Sequence, residues 1–148
     1  MILISHRGNV NGPLLKRENT RSYIQEAINL GYDVEIDVWR TYGDLWLGHD
    51  YPKDEVDIIW LLNRRDNLWV HCKNLEALTK LIDTKLRVFY HKEDEYVLMD
   101  GGYIWSKNSI NVNNKCIVPL LSKDQLNRWP KKEVHGICSD YISLFNET

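Results

Sequence analysis

Residues 31–38 read Gly31-Tyr32-Asp33-Val34-Glu35-Ile36-Asp37-Val38. From Val34 onward apolar and acidic side chains alternate, which is the period of a β-strand. Val34, Ile36 and Val38 then share one face of the strand, and Glu35 and Asp37 share the other. Two carboxylates on a covered face repel each other and lose hydration. A hard divalent cation removes both costs, because it takes oxygen ligands and neutralises the pair at once. A solvated sheet face that simply bears two acids is the plainer reading of the same alternation.

Working outward, Ile2 to Ser5 reads as a buried strand, and Glu18-Asn19-Thr20 opens a helix over Arg21 to Leu30 that Gly31 stops as a C-cap. Downstream, Gly43-Asp44 turns a hairpin whose return arm is Leu45 to Leu47, with Pro52 closing that neighbourhood. Asp57 to Asn63 and Leu75 to Ile82 carry helical periodicity, and Leu68 to Cys72 and Arg87 to Tyr90 read as strands. After His91 the rhythm changes. Tyr96 to Met99, Tyr103 to Trp105, Ile117 to Leu121 and Gly136 to Cys138 are strand-like, with only Lys123 to Arg128 offering helix between them and Asn108 to Asn114 an exposed loop. The expectation is an α/β fold, a shortened (β/α)8 TIM-type barrel with reduced helices in its second half, because an ordinary barrel takes about 250 residues.

The chain has 148 residues, 43% of them hydrophobic, which suits one domain over 1–148. A net charge of −2 with both signs interspersed excludes a broad cationic surface for nucleic acid, so phosphate recognition must be local. Cys72, Cys116 and Cys138 are odd in number and widely spaced, as expected for buried reduced thiols rather than a disulfide or zinc framework. The apolar start, Met1 to Ile4, meets His6-Arg7 at once and is too short for a signal peptide or membrane span. The expected location is the cytoplasm.

His6, Glu35, Asp37, His71, Lys73, His91 and Asp140 all fall within, or just past the end of, expected strands, the rim where a β/α barrel carries its active site. His71 and Lys73 repeat the two-residue spacing of the acidic pair and so share a face. Singly, each has a plain alternative: a histidine satisfied by a backbone carbonyl, a lysine on the surface. His6-Arg7 ends the first strand, and His49-Asp50 follows the hairpin arm. Two imidazoles suit proton transfer near neutral pH, and Arg7, Lys73 and a metal suit the charge of a phosphodiester in cleavage. His91 with Asp94, and Trp105, stand near the same mouth, with packing or surface roles equally open. Trp39, Tyr42 and Trp46 around the hairpin could form an apolar lip for a lipid or sugar moiety, though aromatics in strands are more often core, and they are not counted as site residues.

His6-Arg7-Gly8, Glu18-Asn19-Thr20, Glu35-Ile36-Asp37-Val38 and His49-Asp50 stand in the order, and near the spacing, of the glycerophosphodiester phosphodiesterase signature. The first fifty residues resemble that family, within the phosphatidylinositol-phospholipase-C-like phosphodiesterases. Downstream, His71-Cys72-Lys73 is similar to the family's third-strand E-x-K, and Gly136 to Tyr141 resembles its last-strand segment. The resemblance implies His6 and His49 as the acid–base pair, Arg7 and Lys73 as phosphate contacts, and Glu35, Asp37 and His71 as metal ligands. Glu18, Asp50 and Asp140 are then supporting residues; His91 joins them by its place near the mouth, without a family counterpart. The implied cofactor is Mg²⁺ or Ca²⁺, with Mn²⁺ a further candidate because His71 stands where the family has an acid. The loop Asn9 to Arg17 is longer than the family's, and no insertion follows His49-Asp50, so an open site is expected.

The expected function is metal-dependent cleavage of a glycerophosphodiester-like small molecule, by hydrolysis or through a cyclic phosphate. A noncatalytic barrel that binds a phosphorylated ligand or a protein partner is the alternative, and uncovered strands in the second half leave a homodimer open.

Overall fold

The computed structural model describes residues 1–147. Among these the chain forms ten strands, four α-helices and a closing 3₁₀ helix, Ile142–Glu147. The first part alternates strand and helix as its periodicity requires: β1 (Ile2–His6), α1 (Arg21–Asn29), β2 (Asp33–Thr41), α2 (Ile58–Leu62), β5 (Leu68–Cys72), α3 (Leu75–Leu81) and β6 (Arg87–Phe89). Two short strands, β3 (Asp44–Leu47) and β4 (Asp54–Val56), extend β2 as an antiparallel meander. The second part is β7 (Tyr96–Leu98), β8 (Ile104–Ser106), β9 (Cys116–Pro119), α4 (Lys123–Arg128) and β10 (Gly136–Ser139).

The strands form one curled sheet with a principal run β6-β5-β2-β1-β10-β9-β8-β7, parallel except at its β7 end. This corrects the (β/α)8 TIM-type expectation: the fold is a mostly-sheet, curled half-barrel. The regular alternation breaks after β6. A parallel crossover through a helix needs about a dozen or more residues; residues 90–95 and 107–115 are too few, so β7 and β8 pair as an antiparallel hairpin over residues 99–103 and no helix joins β8 to β9. Only the longer connection 120–135 carries a helix, α4, between the parallel β9 and β10. The two ends of the run, β6 and β7, do not pair as strands; one backbone bond, Asp100 N–H to Val88 O at 3.0 Å, spans them.

Period-two alternation separates two cores. Outward-facing Val34, Ile36, Val38, Leu68, Val70 and Val88 bury against Ile24 and Ala27 of α1 and Ala77 and Leu81 of α3. Inward-facing Ile4, Trp69, Phe89, Trp105, Ile117 and Cys138 fill the hollow of the curl together with Met99. One further step of two along most of these strands brings a polar side chain above the inner plug: His6 after Ile4, His71 after Trp69, His91 after Phe89, Lys107 after Trp105, Asp140 after Cys138. The functional groups therefore collect at the carboxyl ends of the parallel strands, where open α/β sheets bind ligands.

Among the described residues no helix is long and apolar enough to cross a membrane. The three cysteines are free and buried, and burial pushes the Cys72 thiol up to about 12.

Candidate active site

Glu35 and Asp37 lie on the inward face of β2, as the alternation requires, and are 2% and 1% exposed. The parallel register with β5 sets His71 beside Asp37, with its Nδ1 at 3.0 Å from Asp37 Oδ1. Lys73 Nζ stands 3.7 Å from the same oxygen. Asp37 Oδ2 accepts the Asn19 side-chain amide at 2.9 Å, while the Asp37 backbone N–H donates to Asn19 Oδ1 at 2.9 Å. Arg7 Nε lies 3.1 Å from Oδ2, close but outside hydrogen-bond geometry. Burial alone would raise the Asp37 pKa; the hydrogen bond from His71 and the charges of Arg7 and Lys73 outweigh it and hold the group well below the usual carboxylate range.

Glu35 has the opposite surroundings. Its Oε2 is buried without a hydrogen-bond partner, and the His6 ring nitrogen Nε2 is 3.7 Å away. Burial first, and the charge of Asp37 second, push its pKa up to about 7 against the pull of His6, Arg7 and His71.

His6 ends β1, where the chain turns sharply through Arg7 and Gly8 at positive φ, 56° and 94°. A Cβ on Gly8 would stand 2.7 Å from the Tyr23 ring, so the turn needs glycine there. His6 Nδ1–H donates to Asp140 Oδ1 at 2.8 Å, which leaves Nε2 on the Glu35 side. Burial works against a charged His6, but the Asp140 bond and the Glu35 charge prevail and its pKa is raised. Asp140 is held low: the hydrogen bonds from His6 and Asn9 and the charge of Arg7 overcome its burial. Asn9, fully buried, donates through Nδ2 to both Glu18 Oε1 and Asp140 Oδ1 at 2.8 Å, and Arg7 donates to Glu18 Oε2 at 3.3 Å.

These groups face a cavity of about 320 Å³ lined by His6, Arg7, Glu35, Asp37, His49 and His71, and beyond them by His91 and Trp105. His49 stands at the mouth with its side chain 40% exposed and Nδ1 at 2.8 Å from Asp50 Oδ1. The exposed Asp50 lies outside this cavity. Trp39 Nε1–H donates to Gly48 O at 2.7 Å and holds the His49 loop to the hairpin; Tyr42 is fully exposed. His91 stacks on His71 with centroids 4.4 Å apart and planes within 4°, and burial first, then the charge of His71, push its pKa down to about 4.

One oxygen or ring nitrogen from each of Glu35, Asp37 and His71 lies within 4.8 Å of the others. The imidazole in this mixed oxygen and nitrogen set favours Mn²⁺, while the two carboxylates suit Mg²⁺ or Ca²⁺ as well. The unpartnered Glu35 Oε2 is the donor such a cation would satisfy, and 3.0 Å between His71 Nδ1 and Asp37 Oδ1 suits two ligands of one ion as well as a hydrogen bond. The residues therefore fit a divalent metal.

Of the residues singled out in the sequence, His6, Arg7, Glu18, Glu35, Asp37, His49, His71, Lys73, His91, Trp105 and Asp140 thus reach this network or its cavity, whereas Asp50 and Asp94 do not line it. Asn9 and Asn19, which hold the carboxylates in place, were not among them. No protein-family model, curated protein or solved structure matches the chain.

Proposed function

We propose that the chain is a divalent-metal-dependent phosphodiesterase acting on a glycerophosphodiester-like small molecule. The observation that carries this reading is the convergence of the Glu35, Asp37 and His71 cluster with His6, Arg7 and His49 on one cavity. When bound, the metal supplies Lewis-acid polarisation of a nonbridging phosphate oxygen. Glu35, Asp37 and His71 would hold it, and Asn19 fixes the Asp37 carboxylate that would do so.

Asp140 and Asn9 lock the His6 tautomer with Nε2 free to accept a proton from the attacking oxygen. That oxygen belongs to water, giving a monoester, or to a neighbouring substrate hydroxyl, giving a cyclic diester. As it bonds to phosphorus, the bond to the leaving oxygen breaks, and His49 at the mouth donates the proton that the departing alcohol needs. Arg7 and Lys73 take up the phosphate charge. We place the activity in the cytoplasm, where three buried free thiols stay reduced.

A noncatalytic phosphate-binding protein is the second reading, favoured by the pairing Asp37 already has with Arg7, His71 and Lys73. The deciding experiment follows alcohol release from a panel of glycerophosphodiesters by metal-stripped protein with and without Mg²⁺, Mn²⁺ or Ca²⁺. Metal-dependent release that Asp37→Asn loses, and that excess metal partly restores, supports the enzyme. Metal-dependent binding with no release by any metal supports the binding protein.

A further inference from the structure

The half of the cavity away from β2 is formed by His91, Trp105, Lys107, Pro119, Leu121 and Gln125, and no carboxylate stands among them. Lys107 belongs there by register. It follows Trp105 by two residues, as His6 follows Ile4 and His71 follows Trp69, so it occupies the polar layer above the inner plug. Its Nζ donates to Lys92 O at 2.8 Å, a backbone contact that spans from the end of β8 to the segment after β6, and the Glu95 carboxylate alongside is taken by the Asn108 side-chain amide. Among the described residues it has no carboxylate partner. Asp124, on the adjoining groove, is already paired with Arg128 Nε at 3.0 Å.

Gln125 is fixed as the third residue of a capping box. Its Oε1 accepts the backbone N–H groups of Leu121 and Ser122 at 2.8 and 3.0 Å, so the side chain's remaining capacity is the Nε2 donor. Trp105 is stacked on Phe89 at 4.9 Å between centroids and gives this half a flat apolar floor. The far half therefore offers a cation, an amide donor and an aromatic surface, with no side-chain carboxylate to meet a positive headgroup.

We propose that one alcohol of the substrate ends in an anionic group, a carboxylate or a second phosphate, bound by Lys107 and the Gln125 amide with its carbon chain over Trp105. A headgroup ending in trimethylammonium is disfavoured there. The proposal rests on the phosphodiester reading of the site and adds which diesters it takes.

The test uses uncleavable phosphonate analogues of a glycerophospho-propyl diester that differ only in their terminal group: carboxylate, phosphate, hydroxyl or trimethylammonium. Their affinities for the full chain with Mg²⁺ are measured by calorimetry. An ion pair near the surface supports a preference of about 5-fold for each anion over trimethylammonium, abolished in Lys107→Ala and inverted in Lys107→Glu. The same order of affinities in the original protein and in Lys107→Glu overturns the proposal. Because the analogues are not cleaved, the ratio is independent of turnover: an intact, Lys107-dependent ratio with no cleavage of any diester removes the phosphodiesterase and keeps the anion subsite. Failure of all four analogues to bind removes both.

Discussion

Glu35→Gln should stabilise the metal-stripped protein, and only above acidic pH. The Glu35 carboxyl is buried, has an unpartnered oxygen, and ionises at about 7 in the fold against 4.5 in an open chain. A carboxyl whose folded pKa is raised binds more protons in the folded state between those values, so stability falls as pH rises from 4.5 through 7. A gap of about 2.5 pH units at about 1.4 kcal/mol each makes the penalty at pH 8 at most roughly 3–4 kcal/mol. For a chain of this size that is on the order of 10 °C in Tm. Calorimetric melts with chelator should show the two proteins close together at pH 4.5 and diverging through neutrality, with Glu35→Gln the more stable at pH 8. Added Mg²⁺ or Mn²⁺ should then raise the Tm of the original protein and leave the variant largely unmoved. Parallel Tm profiles across this range, or equal metal stabilisation of both proteins, would refute the reasoning.

Asn19→Ala should cost about 2–4 kcal/mol in urea unfolding, because it removes both bonds to Asp37 and puts alanine at φ 54°; a loss under 0.5 kcal/mol would show that Asn19 does not hold the carboxylate. Gly48→Ala would place a Cβ 2.0 Å from Tyr51 O at φ 151°, so we expect a loss of at least about 2 kcal/mol, together with slower turnover as the His49 loop shifts. His6→Ala and His49→Ala should each lower kcat by about 10²–10⁴ while the circular dichroism spectrum is kept. A folded His49→Ala protein with full turnover would leave the leaving alcohol to take its proton from water.

The strand β2 was legible because Val34 to Val38 alternates strictly, and β5 because Leu68 to Cys72 is a short, mostly apolar run; the two-residue period then brought Glu35 and Asp37 onto one face, and the parallel pairing set His71 beside them. Helix α3 was legible from its apolar spacing and α2 only as a short apolar run after Asp57; Asp57 and Asn74 cap them. Whether the sheet completes a barrel is not a local property. Strand-like runs after His91 looked like further barrel strands, yet strand direction depends on connection length and pairing, and β7 pairs antiparallel with β8. The strand β4 went unread because Asp54-Glu55-Val56 is too short and too acidic to show a period. In the site, Asn9 and Asn19 act through folded geometry. For Asn19 the local hints are its place in the Glu18-Asn19-Thr20 run and asparagine's tolerance of the left-handed conformation it adopts. Lys107 lies between the expected strand Tyr103 to Trp105 and the loop from Asn108 and was not read as a site residue; the two-residue step from Trp105 places it in the polar layer.

The central claim, a divalent cation held by Glu35, Asp37 and His71 beside His6, is tested most directly by pulsed electron paramagnetic resonance of the Mn²⁺-loaded protein. The account predicts tight binding of one Mn²⁺, nitrogen coupling from a single imidazole that disappears in His71→Gln, and weaker Mn²⁺ affinity in Glu35→Gln and Asp37→Asn. Mn²⁺ bound without nitrogen coupling, or with an affinity that none of these substitutions changes, would contradict it.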